Sequence, residues 1–292
     1  MSYTIPLSFP VFDGNENLYM QQALSSGYLA TSGSFISKFE NKISKKIKRH
    51  QAVALNSGTS ALHLALMILG VGHGDEVICQ SFTFCASANP IVYLGGTPIF
   101  VDSEEDTWNM SPELLHDAIL GRIALGKKPK AIVIVHLFGM PAKMKEILDI
   151  ADKYTIPVLE DAAEAVGSTY MGFSCGTFGK IGIFSFNGNK IITSGGGGAL
   201  ISGDVGVIQR AKYFSTQARE DLPYYQHLEI GYNYRMNNLT AAIGLAQMEK
   251  LDELVAKRRL INERYRLLFE GIPGIIFQTD RLESQSNYWL TT

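Results

Sequence analysis

Short apolar runs alternate with stretches of helical periodicity along most of this chain, and this alternation limits the possible folds more than any other feature. Apolar residues in the intervening stretches recur at three- and four-residue spacing. The predicted strands are Ala52–Leu55, Glu76–Cys79, Pro98–Val101, Ala131–Leu137, Pro157–Leu159, Ile181–Phe186 and Ala199–Ser202, and the predicted helices include Ala61–Leu69, Pro112–Leu120 and Lys143–Tyr154. The pattern predicts an α/β fold in which a mostly parallel central sheet carries helices on both faces.

The two ends of the chain depart from this pattern. The opening is rich in Gly and Ser and is predicted to be irregular, whereas a long amphipathic stretch, Leu239–Phe269, is interpreted as a connector leading out of the large domain. Residues Asn287–Thr292 resemble the start of a strand with no partner segment after it. We therefore expect a large domain over residues 1–250, and a connecting helix with the start of an incomplete small C-terminal domain over 251–292.

Charge and cysteine content exclude several classes of protein. With 26 basic and 28 acidic residues, the net charge of −2 provides no broad attraction for nucleic acid or for an anionic membrane. Cys79, Cys85 and Cys175 show no CxxC spacing and have the surroundings of reduced thiols, and no metal site is predicted. The first seven residues lack the pattern of an export signal, and no apolar run is long enough to cross a bilayer. We expect a cytoplasmic protein.

One lysine, Lys190, lies between an apolar strand and the four-glycine run Gly195–Gly198. Glycines allow a backbone to approach a ligand closely, and a lysine becomes a covalent catalyst when its amine is partly desolvated. A solvated lysine in a surface loop is the alternative. Upstream, the strand that begins at Pro157 runs directly into Asp161, and an aspartate at a strand end can hold the protonated ring nitrogen of pyridoxal phosphate. Glu164 would then lie near the phenolic oxygen of that ring, although a strand-end acid is often only a helix cap.

A small polar turn follows the first strand of the sheet. Its residues Ser57, Gly58, Thr59 and Ser60 lead into a helix, where free backbone N–H groups and the helix dipole favour a phosphate. Ser185 could reach the same phosphate once the strands lie side by side. Taken alone, the turn is also a good helix N-cap. In open parallel sheets, ligands bind beyond the carboxyl ends of the strands, and His136 also ends a strand at this edge.

Two further segments contain candidate binding residues. In the stretch after Gln80, either Phe82 or Phe84 could stack on a flat heterocycle; Phe84 is preferred, although aromatic residues are more often part of a core. The loop Glu229–Asn238 is rich in hydrogen-bond donors. It could be surface decoration, or it could complete a phosphate site in its own subunit or across an interface.

Together these motifs resemble the DegT/DnrJ/EryC1/StrS family of pyridoxal-phosphate sugar aminotransferases. The resemblance extends from about Pro6 to Thr292 and rests on segments that begin at Asn56, Gly74, Val135, Glu160, Phe184 and Gly231. It implies the fold type I aminotransferase architecture, pyridoxal 5′-phosphate as cofactor, and a homodimer with active sites at the subunit interface. It also implies transfer of an amino group, usually from L-glutamate, to a keto sugar carried on a nucleotide.

Site roles follow from the resemblance by position. Lys190 is implied to bond covalently to the cofactor, Asp161 to pair with its pyridinium nitrogen, and Phe84 to stack on its ring. Thr59, Ser60 and Ser185 are implied to bind its phosphate, with Asn233 reaching the phosphate of the neighbouring subunit. Glu164 occupies a position often held by Gln or His in relatives. Family members continue for several tens of residues beyond Thr292 and complete a small domain, so we expect a shortened chain to turn over poorly.

Three stretches indicate a branch within the family. Asn187–Thr193, Phe214–Glu220 and Ser286–Leu290 resemble enzymes that aminate C4 of UDP-2-acetamido-2,6-dideoxy-4-keto-glucose. The alternatives are a GDP-perosamine-type aminotransferase, a pyridoxal-phosphate sugar dehydratase and a non-catalytic relative. Some relatives become dehydratases when histidine replaces the lysine, and the retention of Lys190 favours transamination. A nicotinamide enzyme is disfavoured because the first strand is not followed by GxGxxG.

Overall fold

A computed structural model of the chain describes residues 8–48 and 50–292. Residues 1–7, which contain the start of the family resemblance at Pro6 and the segment predicted to lack an export signal, lie outside the described residues. The α-helices are α1 (Glu16–Ser25), α2 (Ser34–Ile47), α3 (Gly58–Ile68), α4 (Asn89–Tyr93), α5 (Pro112–Ala124), α6 (Met144–Lys153), α7 (Val205–Ser215), α8 (Asn238–Glu249) and α9 (Leu251–Leu268). The strands are β1 (Gln51–Leu55), β2 (Glu76–Gln80), β3 (Thr97–Val101), β4 (Ala131–Val135), β5 (Val158–Asp161), β6 (Thr169–Tyr170), β7 (Phe173–Ser174), β8 (Ile181–Ser185), β9 (Gly198–Ser202) and β10 (Ser284–Gln285).

Seven strands form one twisted sheet in the order β1-β9-β8-β5-β4-β2-β3. Neighbours from β8 to β3 pair in parallel, whereas β9 runs antiparallel to both β1 and β8. Strands β10, β6 and β7 form a small antiparallel sheet of their own. The prediction of a mostly parallel central sheet is confirmed, and each of its seven predicted strands is present with ends that differ by at most three residues.

Helices cover both faces of the large sheet. Along β1, Ala52 and Ala54 pack in the core that contains α2 and α8, whereas Val53 and Leu55 pack in the core that contains α3 and α7. At β4 the same alternation places Ile132 against α5 and α6. Successive side chains of a strand point to opposite faces, so strands that are apolar at every position require this two-sided cover, as predicted.

The expectation of an irregular opening is wrong for the part of it that the structure describes, residues 8–48. There, α1 packs against α8, and α2 packs against both α8 and β1. The buried side chains Phe35, Ile36, Phe39 and Ile43 recur with helical period on one face of α2. The apolar stripe is sufficient to form a helix once the sheet is present to bury it, although the flanking segments are rich in Gly and Ser.

The long amphipathic stretch is two helices rather than one connector. Helix α8 is buried on several sides and belongs to the core beside α2, whereas α9 is largely exposed. They meet at Lys250, and Asp252 and Glu253 occupy the first turn of α9, where acidic residues favour a new helix N-terminus. The proposed domain boundary at residues 250/251 coincides with this joint and stays a prediction.

The final residues do not begin a strand, so the strand prediction for Asn287–Thr292 is wrong. The short strand β10 precedes them, and side-chain hydrogen bonds hold the segment after it. The buried side chain of Asn287 donates to the carbonyl oxygens of Glu164 (2.8 Å) and Val166 (2.9 Å), and its backbone N–H donates to Ser168 Oγ (2.9 Å). These bonds replace a β ladder and fix the segment against the large body of the molecule.

No helix within residues 8–48 and 50–292 is long and apolar enough to cross a bilayer.

Candidate active site

The carboxyl ends of β4, β5 and β8 and the N-terminus of α3 meet at one cavity of about 280 Å³. This volume is close to the lower end of the roughly 300–1,000 Å³ range of small-molecule sites. Most of the residues predicted from sequence line it, namely Ser57, Gly58, Thr59, Phe84, Asp161, Glu164, Ser185 and Lys190. The fold therefore brings together side chains separated by up to 133 positions, because parallel strands end at the same edge of the sheet.

The turn that opens α3 crosses directly over β9. Ser57 caps the helix, and its hydroxyl accepts a hydrogen bond from the backbone N–H of Ser60 at 3.0 Å. Gly198 pairs with Leu55 on one side and with Ser185 on the other. A Cβ atom at Gly198 would lie 2.4 Å from the carbonyl carbon of Ser57. Only glycine lets the strand pass this close to the turn, which explains the last glycine of the four-residue run.

The end of the cavity formed by Gly58, Thr59 and Ser185 suits an anion. The backbone N–H groups of Gly58 and Thr59 belong to the first helical turn and have no intrahelical acceptor, and the helix dipole adds positive potential. A Cβ atom at Gly58 would lie 3.0 Å from the Cβ of Ser185, so this serine stands directly against the turn. The arrangement can hold a phosphate group, and the roles of these residues as its ligands stay a prediction.

Two residues of the predicted set do not line the cavity. The hydroxyl of Ser60 is held within the turn, where it donates to Asn56 Oδ1 at 2.6 Å and lies 2.8 Å from the Ser57 hydroxyl. Asn233 lies outside the cavity of its own chain, where its carbonyl accepts from Asn56 Nδ2 and its side chain accepts from Gln217 Nε2, each at 3.2 Å.

Asp161 ends β5 and is 5% exposed. Its Oδ2 accepts a hydrogen bond from Ser87 Oγ at 2.7 Å, and its Oδ1 accepts from the backbone N–H of Ala163 at 3.2 Å. Burial raises the pKa of this carboxyl above its ordinary value, and the Ser87 hydrogen bond acts in the opposite direction. The carboxylate has lone pairs left over at the cavity wall, so a cationic N–H group placed there would offset the cost of its burial.

The amine of Lys190 lies between a carboxylate and an aromatic ring. Its Nζ is 3.4 Å from Glu164 Oε1 and 4.1 Å from the centroid of the Trp289 ring. The other oxygen of Glu164 accepts from the backbone N–H of Phe138 at 2.7 Å, and burial raises the pKa of the Glu164 carboxyl. Trp289 is fixed by a hydrogen bond from its indole N–H to the carbonyl of Asn189 at 2.6 Å. The lysine is therefore held at the cavity by contacts on two sides.

The two candidate aromatic residues are clearly separated by the structure. Phe84 lines the cavity with 71% of its surface exposed, whereas Phe82 packs edge to face against Phe138 with ring centroids 5.9 Å apart. Ala163 also lines the cavity. Phe84 is thus the residue available to stack on a ring.

His136 ends a strand at the same edge but is not part of the cavity. It is fully buried, with Nε2 2.9 Å from Glu160 Oε2 and Nδ1 accepting a bond from the backbone N–H of Ala142 at 3.1 Å. Because Nδ1 accepts, Nε2 carries the proton that is donated to Glu160. The interpretation of His136 as a candidate ligand-site residue is wrong, because its side chain pairs with the buried Glu160 and does not line the cavity.

Sequence reasoning missed several residues at this site. Trp289 and Thr83 line the cavity, and Ser87 holds the carboxylate of Asp161. Thr83 and Ser87 could have been found from the sequence, because they are hydroxyl residues four positions apart in a segment that follows a strand. Trp289 gave no such signal, because its position depends on how the end of the chain docks.

Comparisons with known proteins agree with this geometry. The sequence model of the DegT/DnrJ/EryC1/StrS aminotransferase family matches residues 10–292. The chain is 48% identical over 292 residues to "Putative pyridoxal phosphate-dependent aminotransferase EpsN" of Bacillus subtilis (strain 168), covering 100% of this chain and 75% of that protein. It is 44% identical over 262 residues to GDP-perosamine synthase of Escherichia coli O157:H7, covering 90% of this chain and 70% of that protein.

A solved structure shows the same fold. Spr1654 from Streptococcus pneumoniae, in its PLP-form, superposes with a TM-score of 0.91 at 29% identity, covering 99% of this chain and 77% of that one. The residues of the cavity fit the same cofactor. A phosphate-sized anion site, a buried carboxylate, an aromatic face and an amine surround a space of about 280 Å³.

Replacing Asp161 by Asn tests the electrostatic part of this site. The amide keeps the shape of the carboxylate but cannot supply its charge, so we expect cofactor binding to be largely retained while turnover falls on the order of 100-fold or more. Cofactor content from visible absorption and steady-state kcat measure the two effects. Asp149→Asn, which changes an exposed carboxylate paired with Lys145, is the matched control. Near-normal kcat in Asp161→Asn would refute the role.

Proposed function

This chain belongs to the DegT/DnrJ/EryC1/StrS aminotransferase family, and on that premise we propose that it transfers the amino group of L-glutamate to C4 of a nucleotide-linked 4-keto-6-deoxy sugar. The observation that carries the proposal is the meeting of Lys190, Asp161 and the α3 turn around one cavity. It is a sugar aminotransferase that uses pyridoxal 5′-phosphate.

Bound pyridoxal phosphate supplies an aldehyde that bonds to amines and a protonated ring that accepts the electron pair left by a departing proton. The α3 turn and Ser185 would hold the phosphate, and Phe84 would hold the ring face. Asp161 would keep the proton on the ring nitrogen, because its buried carboxylate is stabilised by a cation at that place.

Lys190 would move the proton that the reaction transfers. Its amine reaches the cavity between Glu164 and Trp289, so with the cofactor bound it would be placed to take a proton from the donor amino acid and to return one. The same amine would serve the second half-reaction, in which the keto sugar receives the amino group. One lysine would therefore be sufficient for both half-reactions.

For the acceptor we propose UDP-2-acetamido-2,6-dideoxy-4-keto-glucose. The resemblance of three stretches to that branch supports it, and two of them border the cavity: Asn187 and Asn189 line the wall beside Lys190, and Trp289 lines it as well. Amide groups of this kind can pair with both the N–H and the C=O of an acetamido group. A second candidate is GDP-4-keto-6-deoxymannose, which is favoured by the relative named GDP-perosamine synthase.

Kinetics with the two sugars distinguish these candidates. A site that hydrogen-bonds an acetamido group rejects a plain hydroxyl because its own polar groups would stay unpaired. We therefore expect kcat/KM, with L-glutamate as donor, to be higher for the UDP-acetamido sugar than for the GDP-linked sugar, on the order of 10-fold or more. A preference for the GDP sugar would contradict the branch assignment, whereas failure to aminate any 4-keto sugar would contradict the proposed function.

We further propose that the enzyme works as a homodimer with shared sites. Asn233 lies outside the cavity of its own chain, yet its loop is tied to the phosphate turn by Asn56, whose backbone N–H donates to the carbonyl of Tyr234 at 2.8 Å. Because these hydrogen bonds fix the loop, we infer that it is held in position to contact a second subunit. In a two-fold dimer such a loop would reach the neighbouring cavity on both sides.

Mixed dimers test the sharing of sites. Lys190→Ala and Asn233→Ala subunits, each impaired alone, should form a mixed dimer in which one of the two sites is intact, so the activity of that mixed dimer should be about half of the native value. The matched control mixes native subunits with the Lys190→Ala, Asn233→Ala double variant, in which both sites are broken and activity should fall. If verified subunit exchange produces no recovery, the shared-site proposal is wrong.

A further inference from the structure

A chain of hydroxyl groups runs from the cavity wall to the buried carboxylate of Asp161. Ser87 Oγ lies 2.7 Å from Asp161 Oδ2, and Thr83 Oγ1 lies 2.7 Å from Ser87 Oγ. Ser87 is 1% exposed, and Thr83 lines the cavity. Both hydroxyls come from the segment that also places Phe84, so one short stretch contacts the ring face and supports the carboxylate.

The direction of these hydrogen bonds follows from the charge of the carboxylate. An ionised Asp161 can only accept, so Ser87 must donate its single proton to it. The Ser87 oxygen is then free to accept, and Thr83 becomes the donor to Ser87. Successive hydroxyls that point the same way polarise one another and strengthen the final bond to the carboxylate. The arrangement is therefore directed towards stabilising negative charge on Asp161.

We propose that Ser87, supported by Thr83, is a positioning residue that keeps Asp161 ionised and aims its remaining lone pairs at the ring nitrogen of the cofactor. This inference rests on the proposed role of Asp161. Neither hydroxyl takes part in bond making. The two hydroxyls stabilise the negative charge of Asp161, which would otherwise be costly in this buried position.

The electrostatic surroundings explain why such support is needed. Burial raises the pKa of Asp161, and Glu164 faces it as a second acid on the same side of the cavity. From β2, Cys79 also faces it, and burial together with the Asp161 charge raises the pKa of that thiol to about 12, so the thiol stays neutral. Lys190 lowers the pKa of Asp161 from a greater distance, and the imidazole of His136, which donates to Glu160, is the other titratable group nearby. Among these groups, Ser87 is in direct hydrogen-bond contact with the carboxylate.

The activity should depend on pH through the protonation of Asp161. Activity is lost as the pH falls through the pKa of Asp161, because the protonated carboxyl no longer stabilises the charged ring nitrogen. Removing the Ser87 hydroxyl takes away an interaction that lowers this pKa. The acid limb of the kcat profile should therefore move to higher pH in Ser87→Ala.

The experiment compares four variants with the native enzyme, all loaded with pyridoxal phosphate. Ser87→Ala should lower kcat on the order of 10-fold, with little change in KM, since a hydrogen bond to a charged group is lost. Thr83→Val replaces threonine by a residue of nearly the same size that lacks the hydroxyl, and it should shift the acid limb in the same direction by less than Ser87→Ala does. Thr83→Ser keeps a hydroxyl and should have the native acid limb. Ser81→Ala is the matched control, because Ser81 is exposed and its hydroxyl donates to Asp102 Oδ1 at 3.3 Å, away from Asp161.

A spectroscopic readout separates this role from a merely structural one. NMR of isotopically labelled cofactor reports protonation of the ring nitrogen directly, and its signal should move towards the unprotonated value in Ser87→Ala and Thr83→Val but not in Ser81→Ala. This inference alone would be overturned if Ser87→Ala and Thr83→Val both left the acid limb of the kcat profile and the ring-nitrogen signal unchanged while Asp161→Asn remained slow. A normal kcat in Asp161→Asn would instead overturn the proposed role of Asp161 and the inference with it.

Discussion

The site depends on the interactions that stabilise the buried carboxylate of Asp161. It stands at the end of β5, near the middle of the sheet, where burial raises its pKa and opposes its charge. A side chain in such a place is retained only if donors surround it and a cation completes the set. Ser87 and the backbone of Ala163 provide the donors, and we propose that the charged ring of pyridoxal phosphate provides the cation.

The fold makes this arrangement possible by bringing distant segments to one edge. Parallel strands deliver Asp161 and Ser185 to the same end of the sheet, and the antiparallel strand β9 between β8 and β1 allows the turn at Ser57 to cross over Gly198. Backbone geometry thereby fixes the α3 turn and Asp161, which we propose to hold the phosphate and the ring nitrogen of the cofactor. Lys190 lies on a loop beyond β8, where Glu164 and Trp289 contact its amine at the cavity.

Much of this could be predicted from sequence, because continuous apolar runs predict buried parallel strands and strand ends predict the position of a ligand. Asp161, Lys190 and the turn at Ser57 were found in this way, and the resemblance to a family settled which of Phe82 and Phe84 to prefer. His136 was misread, because periodicity does not show which strand-end side chain has a buried acid behind it. The position of Trp289 depends on Asn287 docking beneath Gly139, a long-range contact that no local pattern contains.

The most direct test of the account is to find which lysine bonds to the cofactor. The protein loaded with pyridoxal phosphate is reduced with borohydride, which makes the bond permanent, and the labelled peptide is identified by mass spectrometry after proteolysis. We expect a single label on Lys190, with loss of the yellow colour and of activity. A label on any other lysine, with Lys190 unmodified, would contradict it.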